Sequence, residues 1–270
     1  MSYLSGFILF IKHLINNRRM IMILAYHDFK DQYLGSYLGI VWAVIQPAAF
    51  IGVIWLVFTY GIRPDGAGGS TAVILTLLTG MIPWFFFAEG LTNSCSSIVA
   101  NKFLVKKVSF SVNILPVVAV LSCLIIHLVL VLFIMLLFIL TGSYPDLYWL
   151  QIPYYIICTI LLLVGLGWLT SAARVFVKDI EQLITLLVQF GFWFTPVIWL
   201  PEKVPERFRF LLDLNPMVYI IQGFRDSFVQ HIWFWERPAS TLVFLIILSL
   251  ILLFGATTFK KLTPHFGDVI

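Results

Sequence analysis

Few side chains in this sequence are equipped for chemistry, and they are scattered. Glu89, in the run Pro83-Trp84-Phe85-Phe86-Phe87-Ala88-Glu89, is the one clear carboxylate within an apolar stretch. An ionisable group in lipid is costly and marks function by default. Two roles stay open for it, an ion pair with a basic residue of another helix or a place along a polar passage. Among five histidines only His127 lies inside an apolar run. A lone histidine there reads as a hydrogen-bond partner for a neighbouring helix. Cys95, Cys123 and Cys158 include no C-x-x-C pair, so they read as buried free thiols, not as a disulfide framework or metal site. Motifs for a phosphate-cradling loop, a nucleophile elbow or a zinc helix are absent. The chain therefore neither binds nor hydrolyses nucleotide, and no catalytic, cofactor or metal residues are expected. One glutamate makes no proton relay, which disfavours a self-powered carrier.

Those residues sit in a polypeptide that is 61% hydrophobic and 11% charged over 270 residues, with mean hydropathy +1.00. A soluble chain is roughly 45–50% apolar and about 25% charged. A crossing helix needs about 20 apolar residues. Spans are expected over Tyr37–Tyr60, Thr71–Thr92, Leu115–Thr141, Leu150–Ala173, Leu183–Leu200 and Ala239–Phe259. Unbroken apolar runs suit helices, not barrel strands. The fold class is thus all-α membrane protein in a single domain over residues 1–270. An interface region is expected over 1–34, six spans over 37–259 and a tail over 260–270. Tyr3–Ile11 is too short an apolar stretch for a cleaved signal, and Lys12 interrupts it. Lysines and arginines cluster before span one, between spans two and three, between four and five, and after six. That bias places both termini in the cytoplasm. Because the basic residues are spread over separate loops, nucleic acid is an unlikely partner.

Four irregular regions stand out. Residues 3–15 carry an apolar face at helical spacing, as a helix lying in the membrane surface would. Arg18–Tyr33 mixes Arg18, Arg19 and Asp28 with apolar residues, and reads as an anchor, as a lever passing motion from a cytoplasmic partner, or as both. Asn101–Asn113, with Lys102, Phe103, Lys106, Lys107 and Phe110, reads as a docking helix for a cytoplasmic protein, because its apolar residues would otherwise be left exposed. Thr195–Arg237 is broken by prolines, and Met217–Val229 is too short and too charged to span. It reads as a re-entrant or interfacial helix on the outer side, near Asn215 and Phe224, and hints at a gate. Span one holds Gly35 and Gly39 in a G-x-x-x-G pair and Pro47, which is expected to kink it. In-span aromatics such as Trp42, Trp84 and Phe85 are either lipid-facing bulk or flat surfaces over which sugars could slide.

The run Tyr33-Leu34-Gly35-Ser36-Tyr37-Leu38-Gly39-Ile40-Val41-Trp42, continuing to Gln46-Pro47, resembles the permease subunit of bacterial ABC polysaccharide exporters of the O-antigen and teichoic-acid type. So do Pro83–Phe87, Lys106–Phe110 followed by Leu115-Pro116, Val177–Ile180, Phe194–Val197 and Asn215-Pro216-Met217. The order is kept over nearly the whole chain. Ser111 departs from the family's usual proline and Lys178 from its usual arginine. The resemblance implies a homodimer with a tunnel on its axis and two copies of a separate ATPase, which would bind ATP and magnesium. Coupling would fall on the 101–113 loop and the N-terminal region, and outer closure on Asn215–Val229. A lipid-linked glycan would be the cargo, in a bacterial inner membrane. An exporter permease for a smaller lipid or drug is the alternative. A membrane glycan-processing enzyme would need a carboxylate cluster, for which Asp179 with Glu181 is the available pair.

Overall fold

The computed structural model describes residues 16–34, 39, 41–57, 71–106, 110–201 and 204–269, and every regular element among them is a helix. Helix α1 (Arg18–Leu34) precedes α2 (Val41–Leu56), α3 (Thr71–Ala100), α4 (Leu115–Leu140) and α5 (Ile152–Phe176). Next come α6 (Ile180–Phe194), the short α7 (Glu206–Asp213) and α8 (Pro216–Arg225), and finally α9 (Pro238–Leu262).

Four stretches are long and apolar enough to cross a bilayer: Val73–Ala100, Val112–Leu140, Leu147–Phe176 and Pro238–His265. They match four of the six expected spans. Helices α2 and α6 are apolar but have only 16 and 15 residues. At ~1.5 Å per residue that is about 24 and 23 Å, less than a hydrocarbon core of roughly 30 Å. Helix α6 stops at Phe194 because Thr195 turns extended (φ −88°, ψ 141°), the conformation that a following proline imposes. The fifth expected span therefore ends six residues earlier than its hydropathy suggests. The ends of the first expected span, Gly35, Lys107 and the surface helix expected over residues 3–15 lie outside the described residues.

Helix α3 runs two turns beyond the expected Thr92. The run that follows is polar, and its side chains bond back to their own helix. Ser94 Oγ donates to Leu91 O at 3.1 Å, Ser97 Oγ to Ser94 O at 2.7 Å and Asn101 Nδ2 to Ser97 O at 2.9 Å. Such local bonds satisfy the polar groups without leaving the helix.

The main core fills the space between α3, α4, α5 and α8, with Leu78, Met81 and Ile82 against Ile126, Ile134, Leu162, Ile221 and Phe224. A second cluster, Ile98, Leu115, Trp168, Phe259 and Phe266, closes the end of the bundle near α1. There Trp168 Nε1 donates to Asn113 O at 3.1 Å. Helices α5 and α9 touch at Gly165 and Gly255, where a Cβ on Gly255 would sit 2.2 Å from the Gly165 carbonyl oxygen. Small residues at such crossings allow close backbone packing, a main source of helix association in lipid. Helix α1 seats Ile21, Ala25 and Phe29, spaced four apart, on the bundle, with Ile21 and Ala25 against Ile114 and Val118. Its other face leaves Met22, Ile23 and Tyr26 exposed.

Candidate functional site

The two ends of the bundle differ in construction. At the end carrying α1, Asp28, Asp31 and Gln32 face Asn93, Ser96 and Asn101 across a polar cleft of about 320 Å³. Burial is the main cause that pushes the Asp28 carboxyl above its ordinary value, and the Asp31 charge adds to the rise while Ser122 opposes it. Gln32 Nε2 donates to Glu89 Oε1 at 3.3 Å, so Glu89 is half-buried and links α3 to α1. Arg18 and Arg19 point outward.

Beyond α3 the chain makes a single helical turn, Lys102–Val105, and a 3-10 turn, Val112–Ile114. Lys102 and Lys106 are exposed and Phe103 is 72% exposed. Leu104 and Phe110 instead tuck against the inner core. The loop therefore hides part of its apolar content and presents one aromatic ring flanked by two cations. Asp179 and Glu181 do not act as a free carboxylate pair, because Glu181 is held by the Arg174 guanidinium and accepts from Ser96 Oγ at 3.1 Å. That bond set joins α3, α5 and α6. Among the described residues no group of three His, Cys, Asp or Glu is placed to hold a metal, and all three cysteines are buried and free.

Midway along the bundle, aromatic rings tie α2, α3 and α6 together. Phe50 meets Phe85 at 5.9 Å and Phe192 at 5.7 Å, both edge-on. Trp84 is buried, with its ring 5.5 Å from Phe87 and 6.2 Å from Phe192. Trp42 on α2 and Leu187, Phe190 and Trp193 on α6 are exposed. His127 stacks on Phe86 at 4.5 Å, and its Nδ1 has no hydrogen-bond partner.

The opposite end is cross-linked by bonds between segments far apart in sequence. Asn215 caps α8, accepting from Met217 N at 3.0 Å, and donates to Thr195 Oγ1 at 2.9 Å. The cap and Pro216 at the first position start the helix sharply. Eight residues of α8 are buried, and Phe224 is fully enclosed between His127, Tyr155 and Phe228. Arg225, 1% exposed, donates to Val197 O at 2.8 Å. A π-turn over Asp226–Gln230 follows. Asp226, 2% exposed, accepts from Gln222 Nε2 at 3.1 Å and pairs with Arg237 at 3.0 Å. Gln151 spans the same region, donating to Ile232 O at 2.8 Å and accepting from Phe234 N at 3.1 Å.

Sequence reasoning reached Asn215 and Phe224 here but missed Gln222, Arg225, Asp226 and Arg237. A signal was present, since Gln222, Asp226 and Gln230 recur every four residues through a stretch otherwise rich in apolar side chains. Such a polar stripe on a short buried helix implies a partner, because buried polar groups must be hydrogen-bonded.

The model of the ABC-2 type transporter family matches residues 19–229. An O-antigen export system permease protein of Klebsiella pneumoniae is 27% identical over 258 residues, covering 93% of this chain and 95% of the relative. One from Myxococcus xanthus is 24% identical over 264 residues, covering 96% and 98%. A polysialic acid transport protein of Escherichia coli is 22% identical over 192 residues, covering 70% and 73%. With a family match reaching from α1 to the π-turn, the chain belongs to the ABC-2 type transporter family.

Proposed function

We propose that this chain is the membrane subunit of an ATP-driven exporter that carries a lipid-linked polysaccharide out of the cytoplasm. The observation that carries the reading is the alignment, along more than nine-tenths of its length, with permeases named for O-antigen export. Family membership implies an ATPase subunit as partner and a multi-pass place in the inner membrane. As a transport subunit the chain does no bond chemistry, and ATP with its magnesium belongs to that partner.

The finer reading has six crossings, with α2 and α6 as the two short ones, and both termini in the cytoplasm. Two copies pair with two ATPase copies. The apolar side chains left exposed on α2 and α6, among them Trp42, Phe190 and Trp193, supply a face for the second copy and for the tunnel. A contiguous exposed apolar face of this kind calls for a covering partner, protein or lipid. Phe85 and Trp84 brace that face from behind, and Glu89 lies along its inner approach. The ATPase pair docks on Phe103 between Lys102 and Lys106, with Arg18, Arg19, Asp28, Lys107 and Phe110 as further coupling residues. Closure of the pair pushes α1 and the 101–113 loop, and the spans respond as a two-state element. Helix α8, re-entrant from the outer side with Asn215 as its cap and Phe224 as its wedge, closes the passage outside.

Native mass spectrometry of the chain co-expressed with its cognate ATPase tests the assembly. Two copies of each subunit are expected, with glycolipid stimulating ATP hydrolysis. A monomeric permease that retains no ATPase in lipid would overturn it.

A further inference from the structure

The outer end holds a partly open cavity of about 250 Å³ between α5, α7, α8 and the start of α9. That lies just under the roughly 300–1,000 Å³ of sites for drug-sized ligands, room for a single ring. The rings of Tyr155, Tyr219 and Phe234 line it. Gln222 and Asp226, 9% and 2% exposed, also line it. Arg237 grips Asp226 with two nitrogens, Nε at 3.0 Å and Nη2 at 3.1 Å, and donates to Gln230 Oε1 at 3.0 Å. Gln222 Nε2 donates to Asp226 and Gln230, both at 3.1 Å, yet its Oε1, buried, has no hydrogen-bond partner. Arg209 and Asp213 are the other charged residues of the lining, so two guanidinium groups stand against two carboxylates and the formal charges cancel.

We infer that this cavity is a binding site for one neutral sugar unit, a subsite for the exported chain on its way out; the inference rests on the export reading above. Planar carboxylate, carboxamide and guanidinium groups suit the vicinal hydroxyls of a sugar, each of which both donates and accepts. The aromatic rings suit the apolar C–H face of a pyranose. Because Asp226 and Arg237 already neutralise each other, a phosphate or a uronate finds no surplus charge to meet it, whereas a neutral hydroxylated ring loses nothing. A network that served packing alone would need no open space between aromatic rings.

Saturation-transfer NMR on the full chain in lipid nanodiscs tests this, with glucose, galactose, mannose and rhamnose as probes. Ring-proton transfer to at least one of them is expected. Ser240→Tyr, which fills the cavity from its rim without removing a member of the buried network, should weaken that binding about tenfold, the effect of ~1.4 kcal/mol. Arg237→Lys, which keeps the charge but loses the fork, should weaken it as well. Three results would overturn the site: no response to any sugar, an undiminished response in Ser240→Tyr, or tighter binding of inorganic phosphate or glucuronate. Export by the wild-type complex, measured alongside, separates the two readings. Normal export without sugar binding removes this site alone, whereas absence of export removes the function on which it rests.

Discussion

The end of the bundle around α8 and the end around α1 use similar side chains for opposite purposes. At the α8 end, Asp226, Arg237, Gln151 and Arg225 are consumed by bonds between distant segments, and their partners are buried or half-buried. At the α1 end, Lys102, Lys106, Arg18 and Arg19 are left in the open, the Gln32–Glu89 bond is exposed, and Glu181 is nearly half-exposed where Arg174 holds it. Buried charge must be paired to be tolerated, and once paired it holds its neighbours in one geometry. Exposed charge adds little to stability and stays free to meet a partner. The contrast teaches that one end spends its charges on internal bonds while the other leaves them exposed on the surface.

Substitutions can break that contrast or sharpen it. The largest effect is expected from Asp226→Ala, which strands Arg237 and Gln222. Breaking a fully buried pair costs roughly 3–5 kcal/mol, and because the Arg237 side chain is 37% exposed, about 2–3 kcal/mol is expected in thermal or denaturant unfolding of the protein in lipid. Next comes Gly223→Ala, whose Cβ would fall 2.0 Å from the Tyr155 ring. Overpacking of this sort costs about 1–3 kcal/mol, read in the same assay. Glu181→Gln, at the α1 end, loosens the joint between α5, α6 and α3 by about 1 kcal/mol, since Glu181 is nearly half-exposed. Phe103→Ser should leave stability within about 0.5 kcal/mol, as surface changes do, while lowering ATPase retention in pull-downs several-fold. A comparable loss of stability there would erase the distinction between the ends.

The smallest effect concerns pH. Burial raises the Asp28 carboxyl above its ordinary value, so the seated α1 binds a proton more tightly than the unseated one. Seating is thus firmest at pH below the ordinary carboxylate range and weakens as pH rises through the raised one, where the seated helix carries the cost of a partly buried charge. Asp28→Asn should flatten this dependence and firm α1 at neutral pH by a few tenths of a kcal/mol. Hydrogen exchange of the α1 amides measures it.

Much of this division could be anticipated from residue order, and the reasons differ by element. Helices α4, α5 and α9 announce themselves by length and apolar content. The stretch after α3 was legible in part: Phe103 is exposed between lysines as expected, whereas Leu104 and Phe110, expected to be left exposed as well, pack against the second cluster. The last turns of α3 were not, because Ser94, Ser97 and Asn101 lower the hydropathy of the run while their side chains bond to their own helix. The bonds of the α8 end were hidden for another reason. Val197 with Arg225, Gln151 with Ile232 and Asp226 with Arg237 are pairings across 28, 81 and 11 positions, and no local pattern specifies such partners. Chain order is equally silent on the partners of Glu181, which answers to Arg174 and Ser96 and not to Asp179.

The most direct test of a conduit worked from one end by an external motor is transport itself. Vesicles holding the chain and its cognate ATPase, loaded with lipid-linked glycan on the ATPase side, should move the glycan to the far leaflet only with ATP. Vesicles holding the chain alone should move none. Transport without the ATPase, or hydrolysis with no glycan crossing in the complete complex, would contradict the account.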